Sequence, residues 1–124
     1  MKKIVLLFVF SVLLLGCVQQ PTPANQSVSV VVIIDNGFNS TNYSIQASVG
    51  ESALSVLELV ASVEKEEYPI GVFVYGINGV KSSGSQSWIY YVDGELAPLG
   101  VSAFKITKSV VILFKLQEPP DSLK

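Results

Sequence analysis

Histidine and arginine are absent from this 124-residue chain, and cysteine, methionine and tryptophan occur once each. The missing histidine removes the commonest general base, the commonest metal ligand and the usual pH switch together. Serine is plentiful, but no imidazole is available to activate it, and no spacing singles out a lysine for that task. Asp93 and Glu95 flank an Asp-Gly pair; they read as a turn residue and its solvated neighbour rather than a catalytic acid pair. A lone cysteine, Cys17, excludes an intrachain disulfide and a cysteine-rich metal site. With no arginine and no cluster among its lysines, the chain has no patch to neutralise phosphates, so nucleic acid is not an expected partner. The expectation is a protein that is not an enzyme and has no cofactor and no metal site.

The N-terminus is more specific. Lys2-Lys3 precedes an apolar run from Ile4 to Leu15, too short for a membrane span of about 20 residues and suited to a secretory signal. Leu14-Leu15-Gly16-Cys17 resembles a lipobox, in which the cysteine becomes the lipidated first residue of the mature protein. The expected organisation is a lipoprotein signal peptide at 1–16, a lipid-anchored linker at 17–27, a folded domain at 28–117 and a polar tail at 118–124. Lipidation at Cys17 would hold the domain outside the cytoplasmic membrane, tethered to it rather than spanning it. Asn25, Asn39 and Asn42 each open a glycosylation sequon, a short motif that Ser/Asn-rich loops also produce by chance.

Val28 to Ile34 is a nearly unbroken β-branched run and predicts a strand buried on both faces. Asn42 to Val49 alternates apolar and polar, as a half-buried hairpin partner would. Ser52 is an N-cap candidate for an amphipathic helix from Ala53 to about Glu66, with Ser55, Glu58, Ser62 and Lys65 as its polar stripe. Further strands are expected at Ile70–Ile77, Trp88–Val92 and Val110–Leu116. The fold class is α+β: a β-grasp-like mixed sheet of about five strands with one crossing helix, in the order ββαβββ.

The most informative stretch runs from Gly76 to Gly94. Asn78-Gly79 and Asp93-Gly94 are hairpin turn signals. Between them lie a Ser/Gly loop and the aromatic strand, where alternation puts Trp88, Tyr90 and Val92 on one face and Ile89 and Tyr91 on the other. Four segments carry a family resemblance: Ser52-Ala53-Leu54-Ser55-Val56-Leu57; Gly71-Val72-Phe73-Val74 with Ile77-Asn78-Gly79-Val80; Ser87-Trp88-Ile89-Tyr90-Tyr91-Val92-Asp93-Gly94; and Gly100-Val101-Ser102-Ala103-Phe104. On these the chain resembles a family of extracytoplasmic domains of unknown function similar to the C-terminal domain of transcobalamin and intrinsic factor. It departs from the family's pattern at Ser87, where an aromatic residue is common, and at Ile106 to Ser109, where a Gly-Asp turn is usual. The resemblance implies a β-grasp-like domain and a corrinoid-like small molecule as ligand.

Two functions follow. As a ligand-binding module, the domain would use Tyr75, Trp88 and Tyr90 as aromatic faces with polar tips, and Ser85 and Ser87 as hydrogen-bonding groups. For any one of these aromatics, a place in the core is the reading favoured over ligand contact. As a protein-interaction or surface-assembly module, a monomeric domain would dock a separate, helical partner protein through a sheet edge or an aromatic patch. Whether Trp88 lies in an open groove separates the two.

Overall fold

The computed structural model describes residues 26–123. The signal peptide, Cys17 and all but the last two residues of the linker lie outside the described residues, as does Lys124. Strand β1 (Ser27–Asp35) pairs antiparallel with β2 (Ser40–Ser48) along its whole length. The hairpin turns where sequence chemistry dictates: Gly37 takes φ 89°, and the Asn36 side-chain carbonyl accepts from the N–H of Phe38 (2.9 Å) and of Asn39 (2.8 Å). Helix α1 (Ala53–Val60), β3 (Val63–Tyr68), β4 (Gly71–Ile77), β5 (Val80–Lys81), β6 (Ser87–Val92), β7 (Glu95–Leu96) and β8 (Val110–Gln117) follow, then a 3-10 turn at Asp121–Leu123.

The strands form two sheets. The larger has five strands in the order β2-β1-β8-β6-β7 and is mixed, since β8 runs parallel to β1 and antiparallel to β6. The smaller is an antiparallel β3-β4-β5 sheet. Val30, Val32 and Ile34 of β1, Val110, Ile112, Phe114 and Leu116 of β8, and Trp88 of β6 share one buried face. Ala47 of β2, Ala53, Leu54, Val56 and Leu57 of α1, Val74 and Ile77 of β4, and Val101 and Ile106 complete the core. The opposite side of β1 is only half-buried at Val31 and Ile33. The expectation of burial on both faces is therefore corrected: with one helix among the described residues, one face of the sheet is covered.

Ser52 caps α1 as its chemistry predicts. It has extended backbone, and its Oγ accepts from the Ser55 N–H at 3.0 Å. Two further N-terminal donors of the helix reach the chain that follows β7: Ala53 N–H donates to Phe104 O (3.0 Å) and Leu54 N–H to Val101 O (2.9 Å). The loop after β7 is thereby fixed to the N-terminus of the helix.

The helix ends at Val60, not near Glu66. Beyond it the chain reverses, Ser62 N–H donates to Asn78 Oδ1 (3.0 Å), and Val63–Tyr68 becomes β3. Only tertiary context gives this outcome. Continued as helix, the segment would leave the outer edge of β4 without a partner along its length; as a strand it satisfies that edge and keeps Glu66 and Glu67 in water. The Glu58–Lys65 ion pair (2.9 Å) joins two members of the expected polar stripe across this reversal.

Candidate functional site

Both turns bounding the aromatic segment have the geometry their sequences call for. Asn78 and Gly79 have φ of 49° and 81°, and Asp93 and Gly94 have 49° and 83°, the paired positive values of a two-residue I′ hairpin. The second turn is pinned to β8 by Asp93 N–H donating to Val111 O (2.8 Å) and Val111 N–H donating to Asp93 Oδ1 (2.9 Å).

Trp88 is 7% exposed, and its indole N–H donates to the Val80 carbonyl at 2.9 Å. It is a core residue that ties the large sheet to the small one. The Tyr90 ring stacks on Phe114 with centroids 5.5 Å apart and an 18° interplanar angle. Its hydroxyl donates to the Leu99 carbonyl, holding the chain after β7 against the sheet. Burial pushes the Tyr90 pKa from 10.0 up to about 12.

The other expected site residues lie apart from these. Tyr75 is half-buried on β4 at a register shift, where its carbonyl accepts from the Ser82 N–H (2.8 Å). Ser85 is exposed in the loop, its hydroxyl donating to Glu118 Oε1 (3.0 Å). Ser87 pairs with Gln117 at the far end of β6. The structure brings Trp88 and Tyr90 together along one wall, and Tyr75, Ser85 and Ser87 do not join them.

That wall belongs to a cleft. A slot of about 180 Å³ separates β4, at Val72, Phe73 and Val74, from β6, at Trp88, Ile89 and Tyr90. Val101 and Phe114 contribute to its lining, and Leu123 of the C-terminal turn reaches it too. Next to it, sharing Val72, Phe73 and Gly100, lies an open shelf of about 600 Å³ framed by Tyr68, Ile70, Ser102 and Ala103. The rim is apolar and open to water: Ile70 is 99% exposed and Phe73 48%. The Tyr68 hydroxyl donates to Glu66, and this bond and the carboxylate's charge raise the tyrosine's pKa.

Both walls of the slot are strand edges. On β6, the Tyr90 carbonyl accepts from Ala97 N–H (3.2 Å) and so points away from β8; alternation sends the N–H and C=O of Trp88 the same way. Strand β7 pairs with β6 only at Tyr91 and Val92. On β4, the two-residue Pro69-Ile70 turn closes on the Tyr68–Gly71 pair, so Gly71 and Phe73 bond towards β3 while Val72 and Val74 point to the other edge. Strand β5 covers that edge only at Gly76 and Ile77.

Sequence reasoning missed Val72, Phe73, Ile70 and the 97–103 wall. The one available signal was Tyr68-Pro69-Ile70-Gly71, which sets an isoleucine at a turn tip. Among the described residues, no group of three or more His, Cys, Asp or Glu side chains comes together in a way that would hold a metal ion. The arrangement suits retention of an apolar surface.

Comparisons place the fold. The structure is similar to haptocorrin in complex with cobinamide (Cbi), with a TM-score of 0.71, 16% identity and 85% of this chain covered, although the match spans 29% of haptocorrin. It is also similar to a candidate metal-binding protein from Ruminococcus gnavus, with a TM-score of 0.66, 16% identity, 75% of this chain covered and 99% of that one. At such identities these likenesses concern the fold alone. No curated protein sequence matches the chain. Residues 50–118, from the strand break before α1 to the end of β8, match the family described as Domain of unknown function (DUF4430), and the chain belongs to that family.

Proposed function

We propose that this protein is a non-catalytic, extracytoplasmic binding module, anchored to the membrane through lipidated Cys17, whose shelf receives one side of a small soluble ligand such as a corrinoid. The observation that carries the reading is the shelf itself: about 600 Å³ of apolar space, within the size range of small-molecule sites, with Phe73 and Ile70 held in water at its edge. Leaving Ile70 exposed forgoes about 1.5–3 kcal/mol relative to burial, and half-exposed Phe73 about half as much; an occupant would recover part of it. The fold shared with haptocorrin in complex with cobinamide supports this ligand class. The ββα opening and mixed sheet support a β-grasp-like assignment.

One observation favours a second reading, a protein-interaction domain. The shelf is open on one side, so a separate, helical partner protein would be needed to enclose a ligand there, and such a partner could also dock without one. Calorimetric titration of residues 18–124 with cobinamide tests the first reading. Saturable heat that weakens several-fold in Phe73→Ala and Ile70→Ser, both exposed and outside the core, is the expected result. Absence of heat at about 1 mM ligand, with the domain folded, refutes the isolated domain as a corrinoid binder and leaves the partner-dependent reading. Trp88→Ala is unsuitable here because it removes core.

A further inference from the structure

Strand β2 closes one end of the large sheet, and among the described residues nothing pairs with its outer side. Its register with β1 is unbroken, from Ser27 opposite Ser48 to Asp35 opposite Ser40. Asn36 N–H donates to Asn39 O and Val49 N–H to Gln26 O. By alternation the hydrogen-bonded pairs with β1 fall on Thr41, Tyr43, Ile45 and Ala47. The N–H and C=O groups of Ser40, Asn42, Ser44, Gln46 and Ser48 therefore point outward, and the first four of these residues are exposed. Such an edge is a template for another strand unless charge, proline, a bulge or shortness blunts it. The other edges are blunted: β3 carries Glu64, Lys65, Glu66 and Glu67, and β5 and β7 have two residues each. Strand β2 has nine residues, with no charge, no proline and no register shift, and offers about 30 Å of ladder at 3.4 Å per residue.

We infer that β2 is an interface between two copies of this chain, paired antiparallel about a two-fold axis at Ser44, so that two five-stranded sheets become one continuous sheet. The strand's own sequence, Ser-Thr-Asn-Tyr-Ser-Ile-Gln-Ala-Ser, selects the partner, because its chemistry reads alike from either end. In this register Ser40 lies opposite the partner's Ser48, Asn42 opposite the partner's Gln46, and Ser44 opposite the partner's Ser44. These pairs exchange the outward backbone hydrogen bonds. On the inner face Tyr43 lies opposite the partner's Ile45. Both side chains are only half-buried against the core, and an aromatic residue across from a β-branched one is a favourable pair. Just past the ladder, Asn39 comes opposite the partner's Val49. That brings Phe38, 93% exposed, to the end of the strand where Val49, 39% exposed, lies. Any other register leaves strand residues unpaired and breaks these matches, and no like charges meet in this one. A single strand pair is a small interface, below about 1,200 Å² of buried surface, so micromolar association is expected; two anchors in one membrane would raise the effective concentration. The inference does not rest on the corrinoid reading. Strand β2 lies at the end of the large sheet opposite β6 and β7, away from the shelf, and cobinamide binding can fail while the dimer holds.

Sedimentation equilibrium of the full chain in an uncharged, density-matched detergent measures the state. The expected result is a monomer–dimer equilibrium with a Kd between about 1 μM and 1 mM. Ser44→Lys sets two ammonium groups together at the axis. Ser44→Pro removes an outward N–H at an edge position that tolerates proline. Each should weaken the dimer at least ten-fold while the dilute chain melts as wild type does; if Ser44→Pro does not fold, Ser44→Lys carries the test. Disulfide trapping reads the register. Ser44→Cys should cross-link to its own copy under mild oxidation, since hydrogen-bonded partners lie about 5.5 Å apart at Cα, within disulfide reach. Asn42→Cys should cross-link when mixed with Gln46→Cys and not alone, because it lies about 14 Å along the strand from its own copy. The wild-type chain, whose single cysteine is Cys17, supplies the background. A monomer at about 1 mM, or a dimer that Ser44→Lys leaves as tight as wild type, overturns the interface. Asn42→Cys linking to itself as well as to Gln46→Cys overturns the register. Assemblies larger than two chains overturn the closed two-fold pair.

Discussion

Replacing Trp88 separates a core role from a ligand role. The side chain is 7% exposed and makes one directional contact, its indole N–H to the Val80 carbonyl. Removing a buried tryptophan costs about 3–5 kcal/mol, a large share of the roughly 5–15 kcal/mol that holds a small domain folded. Trp88→Phe keeps most of the apolar volume and loses the hydrogen bond, for about 1–2 kcal/mol including the deprived carbonyl. The same bond joins the two sheets, so the loss should be cooperative and not confined to β5. Urea unfolding followed by far-ultraviolet circular dichroism measures both variants. The expected order of midpoints is wild type, then Trp88→Phe, then Trp88→Ala, with Trp88→Ala at or beyond the edge of folding. If Trp88→Ala unfolds within about 1 kcal/mol of wild type, the residue is not core and the reasoning fails.

Other consequences are as direct. Ser52→Ala deletes the N-cap bond to the Ser55 N–H, should cost about 1 kcal/mol, and should lower Tm by about 4–8 °C in a thermal melt; Ser52→Thr should restore most of it. Tyr90 holds its proton more tightly folded, at about 12, than its ordinary 10.0. Its contribution is therefore complete below pH 10 and is lost as pH rises from 10 through 12. At full strength this is about 2.7 kcal/mol, and the ring's remaining solvent contact reduces it to roughly 1–2 kcal/mol. Stability measured between pH 9 and 12 should fall in the wild type and fall less in Tyr90→Phe; equal slopes would refute the assignment. Ile70→Ser removes an apolar side chain that is 99% exposed and should leave the melting temperature unchanged within experimental error.

Much of the fold was legible because local chemistry and tertiary need agree in it. Asn78-Gly79 and Asp93-Gly94 specify their hairpins through positive φ, Ser52 specifies its cap, and the alternation of Tyr43, Ile45 and Ala47 specifies which side of β2 meets the core. The candidate site was legible only in part. The parity of β6 put Trp88 and Tyr90 on one face, but parity says nothing about what lies across from that face. Tyr75 was grouped with them by residue type, and the β4 register shift takes it elsewhere.

The sequence by itself determined the hairpins, the start of the helix, the strand faces and the exclusion of histidine, arginine and disulfide chemistry, since each of these depends on residues a few positions apart or on composition. Tertiary structure alone decided three matters. It turned Val63–Tyr68 from a plausible helix end into β3, because the edge of β4 offered hydrogen bonds that outweigh helix propensity. It buried Trp88, because the core and the strands packed against it come from segments remote in sequence. It also opened the slot, because β5 and β7 stop after two residues each and leave two strand edges facing one another, a coincidence of lengths and positions that no local pattern encodes.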